Sequence, residues 1–94
     1  MTVNERRVYT KALTTYGSDA QKKMLLEEMS ELQKEICKNW RGKNNLCEIA
    51  EEMADVGIML DQMKILFQND ALVQRYRNEK IERLKRRLEE SGCA

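Results

Sequence analysis

Two stretches of this chain carry the same acidic pattern beside an apolar stripe. Leu25-Leu26-Glu27-Glu28-Met29-Ser30-Glu31-Leu32 is echoed 24 positions later by Ile49-Ala50-Glu51-Glu52-Met53-Ala54-Asp55-Val56. Matching Glu28 with Asp55, and Glu31 with Glu52, gives one shared midpoint at the turn Arg41-Gly42. Two helices joined there would set the four carboxylates level across an antiparallel hairpin. Four acids converging on one spot need a cation. Oxygen-only ligation selects hard ions, so Mg²⁺ is the first expectation and Mn²⁺ the natural substitute. Mg²⁺ completes its shell with waters and substrate phosphates, so such a groove reads as a partial site awaiting a phosphate ligand.

Acids on helices are ordinarily solvated and paired with Lys or Arg one turn away. Here Glu27/Glu31, Glu31/Glu35, Glu48/Glu52 and Glu51/Asp55 are like-charge pairs at i,i+4. Each costs about 0.2–0.5 kcal/mol without a counterion. Lys34 and Lys38 can relieve the first stretch, whereas the second meets no base before Lys64.

The elements that must position these acids are legible from punctuation and period. Ninety-four residues make one domain spanning 1–94. The chain has no Pro and four Gly, is 35% charged, and draws its apolar residues mainly from Leu, Ile and Met. That mixture predicts an all-α fold. Four helices are expected: Asn4 to Thr15, Ser18 or Asp19 (as cap) to Trp40, Leu46 to Gln68, and Ala71 to Glu90. The second carries Leu25, Met29, Leu32 and Ile36 on one face, and the third carries Ile49, Met53, Val56, Leu60 and Met63. Packed together, these stripes make an antiparallel hairpin core with the acids lining a groove at its margin. The methionines read as core filler. So short a chain buries a limited core, so completion as a homodimer or homotetramer is expected.

Composition also excludes. With no histidine, imidazole ligation and imidazole base catalysis are ruled out. A net charge of +1 gives no global pull toward polyanions, so nucleic acid is not the expected partner. The charge is nonetheless unevenly spread. Leu46 to Met63 holds five acids and no base, while Arg75 to Arg87 holds seven bases against two acids. No apolar run follows Met1 and none is long enough to span a bilayer, which predicts a cytoplasmic protein without membrane attachment. The three cysteines then read as free thiols, Cys37 and Cys47 facing each other near the turn.

Glu-x-x-Glu, a gap, then Glu-x-x-Asp on paired helices resembles the MazG-like all-α nucleoside triphosphate pyrophosphohydrolases. The resemblance rests on Glu27-Glu28-Met29-Ser30-Glu31-Leu32 and Glu51-Glu52-Met53-Ala54-Asp55-Val56, and the helix order extends it over roughly Ala20 to Leu88. It implies Mg²⁺-dependent hydrolysis of an NTP or dNTP between the α- and β-phosphates, releasing NMP and pyrophosphate. Glu28, Glu31, Glu52 and Asp55 would be both metal ligands and catalytic groups. The family often places Lys and, four residues on, Asn on its last helix for phosphate contacts. Here Lys80 matches but Leu84 stands in place of Asn, leaving Lys80 and Arg83 as the phosphate-binding candidates.

Trp40 is the single tryptophan, near the end of helix two, suited to stacking on a base or to capping the hairpin. Two competing functions stand beside the first. One is a non-catalytic interaction module using the basic last helix. The other is a hydrolase of a related pyrophosphate compound, such as a nucleotide-sugar or phosphoribosyl substrate.

Overall fold

The computed structural model describes residues 1–92, and the thiol of Cys93 lies outside them. The chain is all-α: α1 (Val3–Tyr16), α2 (Ser18–Trp40), α3 (Leu46–Leu66) and α4 (Asp70–Glu90). The four expected helices stand within a few residues of their read boundaries. Among the described residues, no helix is long and apolar enough to cross a membrane.

Each boundary has a local cause. Thr2 starts α1 with a capping box: its hydroxyl accepts from the Glu5 N–H at 3.0 Å, and its own N–H donates to Glu5 Oε1 at 2.7 Å. Gly17 (φ +92°) ends α1 and is itself the N-cap of α2, with no side-chain cap bond. The expectation that Ser18 or Asp19 would cap α2 is therefore corrected. Glycine takes the left-handed geometry at little steric cost, so the chain turns one residue earlier and both polar residues enter the helix. Gly42 (φ +102°) reverses the chain between α2 and α3.

The α2–α3 hairpin is the body of the molecule. Its antiparallel register is fixed at three levels. Near the open end, the buried Gln21 amide donates to Gln62 Oε1 at 2.7 Å. In the middle, Glu28 stands against Glu52 and Asp55. At the turn, Asn45 is 1% exposed and its Nδ2 donates to the Glu35 carbonyl at 2.9 Å and to Glu35 Oε2 at 2.6 Å. α1 packs against α3 and α2, burying Tyr9 within reach of the Asp61 charge on α3. α4 packs against α3 and buries none of its residues.

Within the hairpin, the facing seams are Gln21, Leu25, Glu28, Leu32 and Glu35 on α2, and Ile49, Glu52, Val56, Met59 and Met63 on α3. This corrects the expected stripes. Met29, Ile36, Met53 and Leu60 are exposed, and carboxylates take the seam positions instead. Met59 and Met63 fill the core as expected, while Met24, Met29 and Met53 do not. The reading centred each stripe on the most apolar arc, but the contact surface is rotated toward the acids.

Candidate metal centre

The seams themselves deliver the acids. Glu28 lies between Leu25 and Leu32 on α2, and Glu52 between Ile49 and Val56 on α3, so both point into the hairpin half-buried. Asp55 follows Glu52 by three residues, at the seam's edge and exposed. One carboxylate oxygen from each of the three lies within 4.8 Å of the others. Glu31, the fourth residue of the expected set, is exposed, one turn from Glu28 and outside this trio.

The electrostatics of the trio are unfavourable as they stand. Burial pushes the Glu28 carboxyl above the ordinary carboxylate range, and the negative charges of Asp55 and Glu52 push it further the same way. Glu52 Oε2 is buried without a hydrogen-bond partner. Among the described residues, no Lys or Arg pairs with any of the three. Lys38 pairs with Glu35 and Lys64 with Asp61, each at 3.3 Å. Three oxygens at this spacing, with a buried acceptor left unmade, suit a hard divalent cation. Its remaining positions would go to water or phosphate.

The other candidates stand apart from the trio. Lys80 and Arg83 are exposed on α4, in a shallow groove with Tyr76, Glu79 and Arg86. Trp40 is 87% exposed, so it does not cap the hairpin. Asn45 does that work, because its amide reaches back across the turn while an indole at the end of α2 points outward. Cys37 and Cys47 are free thiols.

Sequence reasoning passed over Asn45 and the Gln21–Gln62 pair. A signal for the glutamines was available, since they share the midpoint that relates Glu28 to Asp55. Asn45 carried none, because an asparagine before a helix reads as a cap whether or not its side chain turns back.

No protein-family model, no curated protein and no solved structure matches the chain.

Proposed function

We propose that this protein is a Mg²⁺-dependent nucleoside triphosphate pyrophosphohydrolase, cleaving an NTP or dNTP between the α- and β-phosphates to NMP and pyrophosphate. The observation that carries the reading is the meeting of Glu28, Glu52 and Asp55 across the hairpin, unpaired by any base. Mg²⁺, or Mn²⁺ in its place, supplies charge neutralisation of the polyphosphate and a more acidic bound water. Glu28, Glu52 and Asp55 would hold the ion from the hairpin side. One of the four carboxylates, Glu31 one turn from Glu28 included, would take the proton as general base. Lys80 and Arg83, exposed on α4, are the phosphate-contact candidates, and Trp40 is an exposed ring available to a base.

The test is substitution at constant shape. Glu52→Gln and Asp55→Asn keep the side-chain volume and remove the charge, and each lowers turnover by about a hundredfold or more, with the helical circular dichroism unchanged. Full activity in either variant ends the assignment. If no nucleotide is turned over while Mg²⁺ still raises the melting temperature, the metal site stands and the substrate is a related pyrophosphate compound.

A second reading has one observation behind it. α4 buries no residue and presents its bases to solvent, as a helix does that docks on an acidic partner. Salt-dependent retention of random-sequence DNA at physiological ionic strength, lost in Lys80→Ala/Arg83→Ala, would favour it.

A further inference from the structure

The carboxylate trio meets through two contacts across the hairpin, Glu28 against Asp55 and Glu28 against Glu52. Seven residues along each helix, both contacts recur as a buried, hydrogen-bonded pair. From Glu28 and Asp55, seven residues toward the open end lead to Gln21 and Gln62. These are 7% and 5% exposed, and the Gln21 amide donates to Gln62 Oε1 at 2.7 Å. From Glu28 and Glu52, seven residues toward the turn lead to Glu35 and Asn45. Here Asn45 Nδ2 donates to the Glu35 carbonyl at 2.9 Å and to its Oε2 at 2.6 Å. Seven residues are two turns, about 10.5 Å along the axis, and return a side chain to within about 20° of its starting direction. The two clamps therefore stand on the same rows as the trio, one on either side of it.

The trio does not hold itself together. Its carboxylates repel, and among the described residues no base pairs with any of them. Glu52 Oε2 is buried without a partner. Hydrophobicity pulls the same way. One residue on from Glu28, Glu35 and Glu52 stand Met29, Ile36 and Met53, all exposed. A rotation of about 100° in each helix would bury those three and turn the acids out to water, an exchange that favours the rotated state. At the open end the same rotation would bring Lys22 and Lys64 to where Gln21 and Met63 now lie. It would also break both clamps. A buried polar pair specifies one arrangement of two helices, because a partial rotation leaves its groups buried and unsatisfied.

We infer that Gln21, Gln62, Glu35 and Asn45 are positioning residues of the metal centre, given the metal-binding role proposed for the trio. The two clamps fix the rotation and level of α2 and α3 that bring Glu28, Glu52 and Asp55 to one point. This task is separable from stability. Glutamine and methionine are close in length and volume, so replacing both glutamines keeps the packing and relieves the burial of two amides. What is lost is direction. The trio then spreads in the metal-free protein, and a cation must gather it again at a cost in affinity.

The experiment measures the Mn²⁺ affinity of the full chain by electron paramagnetic resonance, and the melting temperature of the same variants in EDTA. Gln21→Met/Gln62→Met is expected to bind Mn²⁺ roughly tenfold more weakly or worse, while melting in EDTA at or above the wild-type temperature. A merely structural pair would move the two readouts together. Met59→Leu, an equally buried change in the seam beside Gln62, is expected to keep the wild-type affinity. At the turn, Glu35→Met should weaken binding, whereas Glu35→Gln, which keeps an acceptor for the Asn45 amide, should bind as the wild type does. A double variant that binds as tightly as the wild type, or loses affinity only in step with stability, would overturn the inference and leave the metal site standing. So would an equal loss in Met59→Leu. Should the double variant fail to fold, the two Glu35 variants decide by the same criteria. A wild type that binds no Mn²⁺ ends the metal reading as well, and is told apart from the other outcomes because the unmodified chain is itself silent.

Discussion

Glu28 is the residue on which the chemistry and the stability of the hairpin meet. It sits in the hairpin seam between Leu25 and Leu32, facing Glu52 and Asp55 without a base. Its carboxyl titrates above the ordinary Glu value of 4.5, so the folded state holds that proton more tightly than the unfolded chain does. The sign follows from linkage. This group stabilises the metal-free protein at low pH, and its contribution falls as pH rises from near 4.5 through the raised folded value. Glu35 runs the other way, because the hydrogen bond from Asn45 and the nearby Lys38 hold it low; its contribution is lost as pH falls below the ordinary range. The difference between wild type and Glu28→Gln isolates the first effect. Thermal melts across pH should show Glu28→Gln more stable than wild type at neutral pH, by a few degrees, with the gap closing in acid. The same variant should lose the rise in melting temperature that Mg²⁺ gives the wild type. A wild type that gains stability as pH rises through this window relative to Glu28→Gln would contradict the account of the trio.

At the scale of elements, the turn and the last helix differ in how much they carry. Asn45 is buried, ties α3 back to α2 through two bonds to Glu35, and leaves its Oδ1 without a partner. Asn45→Ala removes both bonds and leaves the Glu35 groups short of a donor. It should cost about 1–3 kcal/mol in denaturant unfolding. On α4, Ile81, Leu84 and Leu88 are all exposed, so Leu84→Ala should change stability by less than about 0.5 kcal/mol. A cost comparable to that of Asn45→Ala would mean that α4 is covered after all. The helices and their breaks were readable because glycine, asparagine and the apolar period mark them locally. The rotation of each helix was not. Met29 and Met53 are more apolar than Glu28 and Glu52, so a periodicity reading turns the methionines inward. The hairpin instead turns the glutamates inward, a choice that only the opposite helix decides. Three of the four expected carboxylates come together, while Glu31, one turn from Glu28 on α2, stays exposed outside the trio.

The molecule as a whole is extended, 50 × 35 × 22 Å, with few fully buried apolar side chains. The core is limited, and α4 buries none of its residues. Length and composition made self-association an expectation. Met53 is exposed and is not one of the trio, so Met53→Glu should keep the Mg²⁺-induced rise in melting temperature.

The central claim is that the three carboxylates serve a hydrolysis at the α–β phosphate bond. The most direct measurement is pyrophosphate and NMP release from a panel of NTPs and dNTPs, with Mg²⁺ and with EDTA, for wild type and Glu52→Gln. The account predicts equimolar release of both products by the wild type with Mg²⁺, none with EDTA, and next to none from Glu52→Gln. Release that persists in EDTA or in Glu52→Gln, or the absence of release from every nucleotide tested, would contradict it.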